Sequence, residues 1–217
     1  MLNRYQNFIF DLDGTLVNSS EEILLCLKKA FEKSNYFIDE QKFTSNVIGP
    51  PIKQIINMLA PELTDENLIL DIVKKFRQIY DYDENDISIM YDGLYELLSD
   101  LKNKGKKLFI ATFKPQIPTV RIVDKFKIKH FFDDIYTIDK FGKNITKDEM
   151  INDIIEKYGL ERSQTIMIGD AKSDAIAARQ AGVKSIGVFW GYGKDKTELI
   201  KNADYIIKDV KELTCQK

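Results

Sequence analysis

Cysteine, histidine and tryptophan are scarce in this chain: two, one and one among 217 residues. Cys26 falls in an apolar helical pattern and Cys215 in the tail, so a disulfide is not required, and a reduced, cytosolic protein is the expectation. The single histidine, His130, is far in sequence from any other reactive candidate and reads as a surface or core-edge residue. No apolar run is long enough to span a bilayer. The first residues, Met1-Leu2-Asn3-Arg4-Tyr5-Gln6-Asn7, are polar and run straight into an apolar stretch, so no signal peptide is expected. A net charge of -2 leaves no electrostatic excess for nucleic acid. Internal repeats and low-complexity segments are also lacking.

Hydrophobic residues at 44% and charged residues at 30% fit a globular protein with a mixed-charge surface. The length allows one large or two small domains. The most informative stretch is Phe8-Ile9-Phe10-Asp11-Leu12-Asp13-Gly14-Thr15-Leu16. Its apolar run reads as a buried strand that Gly14 then turns. Asp11 and Asp13 therefore stand at the end of a strand, where open α/β sheets bind ligands. Two carboxylates there can hold a divalent cation and divide nucleophilic from acid/base work. Alone, Asp-Leu-Asp-Gly is equally an ordinary turn or helix cap.

The stretch 17–86 reads as helical throughout. Ser19-Ser20-Glu21-Glu22 opens a helix with Ile23, Leu24, Leu27 and Ala30 at helical spacing. Gly49-Pro50-Pro51 breaks the chain before a second, with Ile52, Ile55, Ile56 and Leu59 on one face. Leu63-Thr64-Asp65-Glu66 starts a third that runs towards Tyr80, and the acidic stretch 81–86 reads as a linker. Beyond Met90, strands alternate with helices. The strands are expected at 107–111, 134–136, 165–168, 184–188 and 205–207, with helices at 94–103, 117–126, 147–158 and 174–180. Such alternation predicts a Rossmann-like parallel sheet with helices on both faces, an α/β core of residues 1–16 and 87–217. The segment 17–86 is then an inserted all-helical cap domain.

Three further strand ends carry polar groups. One leads into Thr112-Phe113-Lys114-Pro115 and another into Gly169-Asp170-Ala171-Lys172-Ser173-Asp174. Lys147 opens a helix after the Asn144-Ile145-Thr146 loop. In a parallel sheet these ends meet at one edge, bringing Asp11, Asp13, Thr112, Lys147, Asp170 and Asp174 together. A lysine at a helix start is unfavourable against the helix dipole, so an anionic partner for Lys147 is expected. Asp170 and Asp174, four residues apart, have an alternative use in capping and decorating a helix.

In order along the chain, DxDGT, a strand-end Thr, Lys and GDxxxD resemble the motifs of the haloacid dehalogenase superfamily of phosphohydrolases. The insertion after the first motif resembles the cap of its helical-cap subclass, and within that the chain is most similar to phosphoglycolate-phosphatase-like members. The resemblance extends through the stretches 187–193 and 203–207. It implies that Asp11 attacks phosphorus, and that Asp13 protonates the leaving alcohol and then activates water. Thr112 and Lys147 would hold the phosphoryl oxygens, with Lys114 the second candidate for the phosphate-binding lysine. Mg²⁺ would be bound by the Asp11 carboxylate, the Asp13 backbone carbonyl and Asp170, while Asp174 supports the metal or orients Lys147. Gly14, Phe113 and Pro50 complete the expected substrate-facing set, with Gly49, Pro50 and Pro51 forming a cap loop. Phe113 stands where relatives commonly carry a small polar residue, and Asn18 where the first motif often continues with Asp.

The expected activity is Mg²⁺-dependent hydrolysis of a small phosphorylated metabolite, whether phosphoglycolate, a sugar or polyol phosphate, or a nucleotide. A phosphomutase of the same superfamily and a non-catalytic binding module retaining the fold are the alternatives. Dehalogenase and phosphonatase chemistry are disfavoured, the first by the presence of Asp13 and the second by the lack of a nominated Schiff-base lysine in the cap. No membrane or nucleic-acid partner is expected, and a monomer is the default.

Overall fold

A computed structural model describes residues 2–82, 86–141, 145–192 and 196–214. Part of the acidic linker (83–85), Asn144 of the loop before Lys147, Gly193 and Cys215 lie outside the described residues. The chain divides into two compact units, one of residues 1–18 with 90–217 and one of residues 19–89.

The elements follow in the order β1 (Asn7–Phe10), β2 (Val17–Asn18), α1 (Ser20–Lys33), α2 (Ile52–Leu59), α3 (Glu66–Tyr80), β3 (Ile89–Met90), α4 (Leu94–Asn103) and β4 (Lys107–Thr112). Then come α5 (Gln116–Lys125), β5 (Asp134–Thr137), α6 (Lys147–Tyr158), β6 (Thr165–Gly169), α7 (Lys172–Gln180), β7 (Lys184–Val188), α8 (Lys196–Asn202), β8 (Tyr205–Ile207) and α9 (Lys211–Thr214).

Among the described residues, six strands form one sheet in the order β5-β4-β1-β6-β7-β8, and every pairing is parallel. β1 is central, with Phe10 opposite Ile110 on one side and Ile168 on the other. A parallel strand covered on both faces is apolar at every position rather than at alternate ones, and β1 and β6 are buried throughout. Alternate side chains serve two cores. Phe8, Phe10, Leu108, Ile110, Ile166 and Ile168 pack with Leu94, Leu98 and Ile122 of α4 and α5. Ile9, Phe109, Ala111 and Met167 pack with Met150, Ile154, Ala177 and Ala178 of α6 and α7. The architecture is thus the expected Rossmann-like parallel sheet with helices on both faces.

The second unit has its own apolar interior, in which the helical spacing seen in the sequence becomes the buried face. Cys26, Leu27 and Phe31 of α1, Ile55, Ile56 and Leu59 of α2, and Ile69, Ile72 and Phe76 of α3 are all buried. Asp65 caps α3 by accepting from the Asn67 and Leu68 amides, and Pro51 precedes the first residue of α2. The buried Glu22 carboxylate accepts the Ser88 amide at 3.1 Å and its hydroxyl. No helix among the described residues is long and apolar enough to cross a membrane. His130 is exposed and rests on the Phe131 ring.

The stretch 17–86, read as all-helical with no strong strand, begins with the two-residue strand β2, while β3 lies outside it. Two-residue strands carry no periodicity from which to infer them. α7 starts at Lys172, two residues earlier than expected, and α8 was not foreseen.

Candidate active site

The first unit alone supplies a cluster of acidic and basic side chains at the carboxyl edge of its sheet. β1, β4 and β6 are neighbours and parallel, so the residues that follow them emerge side by side. The Asp11 amide still continues the ladder, donating to Ile168 O at 2.9 Å. Beyond it, Leu12 O accepts from the amides of Leu16 (2.9 Å) and Val17 (3.1 Å), and this turn leaves Asp11 and Asp13 at the edge. Gly14 has φ +77°, and a Cβ there would stand 2.3 Å from the Asp170 carboxylate. Only glycine meets both the left-handed backbone and that approach.

Lys147, the first residue of α6, is 5% exposed and reaches Asp11 Oδ1 at 3.1 Å and Asp174 Oδ1 at 2.5 Å. Its cost against the helix dipole is offset by these two carboxylates. Thr146 and Glu149 fix the start of α6 by a reciprocal capping box. Asp174 does two things at once, because its Oδ2 also accepts the Ala171 amide at 3.1 Å. The capping role considered for Asp174 is therefore real and accompanies its contact with Lys147. Lys114 is also buried, and its ammonium lies 3.0 Å from Asp13 Oδ1. Each of the paired aspartates after β1 thus has its own lysine. Thr112 is buried, and its Oγ1 accepts the Lys114 amide at 3.1 Å. The Phe113 ring is 43% exposed, with Lys147 Nζ 5.1 Å from its centroid.

Carboxylate oxygens of Asp11, Asp170 and Asp174 all lie within 4.8 Å of one another. Burial pushes the Asp11 carboxyl up to about 7; Lys147 opposes the shift, and the charges of Asp174 and Asp13 add to it. Burial pulls the Lys147 ammonium down, but Asp11 and Asp174 outweigh it and hold it above the usual lysine range. The clustered carboxylates of Asp11, Asp170 and Asp174 form an all-oxygen donor set that suits a hard divalent cation such as Mg²⁺.

The structure thus brings together Asp11, Asp13, Gly14, Thr112, Phe113, Lys147, Asp170 and Asp174, and adds Lys114. Gly49, Pro50 and Pro51 lie in the second unit. Three neighbours were not identified from the sequence. The Trp190 indole donates to Thr15 O at 3.0 Å. At Gly191 a Cβ would fall 2.2 Å from Gly14 O and 2.4 Å from the Asp170 Cβ. Tyr91 has its phenol held well above the ordinary tyrosine range by burial, reinforced by the charges of Asp170 and Asp13. The advance signal for Trp190 and Gly191 was their place in the stretch 187–193, over which the resemblance extends.

The family model for haloacid dehalogenase-like hydrolases matches residues 8–188. A 5'-nucleotidase from Pseudomonas aeruginosa is 31% identical over 194 residues, covering 88% of this chain and 86% of its own. A phosphoglycolate phosphatase from Vibrio parahaemolyticus is 26% identical, covering 94% and 92%. The crystal structure of a predicted phosphatase from Clostridium acetobutylicum superposes with a TM-score of 0.83 at 32% identity, covering 96% of each chain. With its motifs at the edge of a parallel sheet and its family matched from β1 to β7, the chain belongs to the haloacid dehalogenase-like hydrolase family, as one of its phosphatases.

Proposed function

We propose that this chain hydrolyses a small phosphomonoester in a Mg²⁺-dependent reaction through an aspartyl phosphate on Asp11. The observation that carries the reading is the separation of the two aspartates: Asp11 is paired with Lys147, and Asp13 with Lys114. A nucleophile and an acid/base group need different surroundings to do different work.

In the first step Asp11 Oδ attacks phosphorus, a P–O bond to Asp11 forms, and the ester P–O bond breaks. Asp13 gives its proton to the departing alkoxide. In the second step Asp13 takes a proton from water, the hydroxide attacks phosphorus, and Asp11 leaves as a carboxylate with inorganic phosphate. Thr112 Oγ1 accepts the Lys114 amide, which leaves its hydroxyl proton to donate to a phosphoryl oxygen. Lys147 bridges Asp11 and Asp174 and would place a positive charge beside the transferring group. Asp11, Asp170 and the Asp13 carbonyl would hold Mg²⁺, with Asp174 in support; when bound, the ion neutralises charge between the nucleophile and the phosphoryl oxygens.

The relatives' names cover a nucleotide and phosphoglycolate, and these, with sugar and polyol phosphates, are the substrate classes we propose. The test is phosphate release from a panel of such esters with and without Mg²⁺, with Asp11→Asn as control. The variant should lose at least about 10³-fold in turnover, since it lacks the nucleophile. Rapid quenching followed by borohydride reduction should convert Asp11 of the working enzyme to homoserine. Phosphate release that persists in Asp11→Asn would refute the mechanism.

A further inference from the structure

We propose that Lys114 is a positioning residue for Asp13, holding its carboxylate in the one orientation from which it reaches the leaving oxygen. The inference rests on the phosphatase reading above and adds to it a residue with a defined task.

Burying a lysine side chain costs solvation and rotamer entropy, so it needs a compensating contact. The Lys114 side chain is 3% exposed, whereas that of its partner Asp13 is 23% exposed. The better-anchored member is the lysine. Its backbone is fixed from both sides: its amide donates to Thr112 Oγ1 at 3.1 Å, and the next residue, Pro115, receives the Thr119 hydroxyl at 2.7 Å. The ammonium is therefore delivered from a rigid turn between β4 and α5. Asp13, by contrast, stands on a turn with part of its surface in water, where an aspartate has several rotamers to choose from. Proton transfer requires its oxygen within about 2.6–3.2 Å of the reacting atom. An ammonium 3.0 Å from Asp13 Oδ1 favours the rotamer that keeps this contact. Lys147 cannot serve instead, because its own contacts are with Asp11 and Asp174.

This assignment differs from a second phosphate-binding lysine in a measurable way. An alkoxide leaving group needs a proton from Asp13; p-nitrophenolate departs without one. Values of kcat/KM report only the steps through phosphorylation of the enzyme. For Lys114→Met, kcat/KM should fall about 10²–10³-fold on an alkyl phosphate but only a few-fold on p-nitrophenyl phosphate, the scale of general acid catalysis. In an Asp13→Asn background the same change should have almost no further effect on the alkyl ester, because the two residues act as one unit. Lys114→Arg should recover part of the loss. Should Lys114→Met fail to fold, Lys114→Gln removes the charge while keeping a donor, and the same substrate contrast is expected.

Equal losses on both esters would overturn the proposal. So would a parallel rise in the inhibition constant for inorganic phosphate, which would make Lys114 a phosphate ligand. Wild-type protein inactive on every phosphate ester would overturn the phosphatase reading and this inference with it, whereas active wild type with substrate-independent losses would overturn this inference alone.

Discussion

Removing the Asp11 carboxylate should stabilise the metal-free protein. Asp11 is 9% exposed, and its carboxyl is pushed from 3.8 up to about 7. Its folded form therefore holds a proton that the unfolded chain has already released, and this holds between about pH 4 and pH 7. Stability falls as pH rises wherever the folded state binds more protons, so this group's contribution is lost on going up through that window and the full penalty applies above pH 7. A shift of about three units at roughly 1.4 kcal/mol each is about 4 kcal/mol, more than half of it between pH 5 and pH 8. Asp134, Asp71 and Asp204 are shifted the other way, below their ordinary values; stability gained through them is complete by about pH 4 and does not overlap. Asp11→Asn keeps the shape and cannot ionise, while Lys147 retains Asp174. Urea unfolding in EDTA should thus show the variant gaining about 2–3 kcal/mol on wild type between pH 5 and pH 8. Saturating Mg²⁺ should shrink or reverse that gain, because the wild type has the extra charged ligand. A wild-type-to-variant difference that is the same at both pH values would refute the reasoning.

Mg²⁺ at about 100 times its dissociation constant should stabilise the wild type by about 2.7 kcal/mol, seen as a rise in thermal midpoint of roughly 5–10 °C; Asp170→Asn should lose most of that rise. Lys147→Met removes the shared cation of Asp11 and Asp174, and should cost about 3–5 kcal/mol in metal-free urea unfolding as well as essentially all turnover. Gly14→Ala forces a side chain into the left-handed backbone and against the Asp170 carboxylate. It should lower stability by about 1–3 kcal/mol and weaken Mg²⁺ binding measured by calorimetry; unchanged Mg²⁺ affinity would show that the carboxylate tolerates displacement.

The sheet was legible because parallel strands leave a plain mark. Phe8-Ile9-Phe10 and Thr165-Ile166-Met167-Ile168 are unbroken apolar runs that end in polar residues, and both are buried strands of the sheet. The convergence of Asp11, Thr112 and Asp170 followed from strand direction alone. What was not legible depends on side-chain reach and on weak local patterns. Lys147 and Lys114 were rivals for one role because a lysine's long stem hides its destination; the structure sends one to Asp11 and Asp174 and the other to Asp13. Tyr91 and Gly191 belong to the cluster through tertiary approach, which no spacing encodes. α8 has a single buried residue, Leu199, in a mainly polar heptamer, too little for a helical stripe.

The central place of β1 also governs how the chain is made. Asn7 lies opposite Lys107 on one side and Thr165 on the other, and its side chain bonds Thr165 across 158 residues. β1, which leads into Asp11, is made before both of its neighbours, β4 and β6, and it cannot be flanked until β6 has been synthesised. Parallel pairing over such separations is slow, and it leaves apolar strands uncovered meanwhile. A nascent chain lacking β6 would present Phe8, Ile9 and Phe10 with one edge unpaired. Competence to fold and to react would therefore arrive together, late in translation, and truncation before Gly169 would yield an aggregating fragment rather than a weakened enzyme.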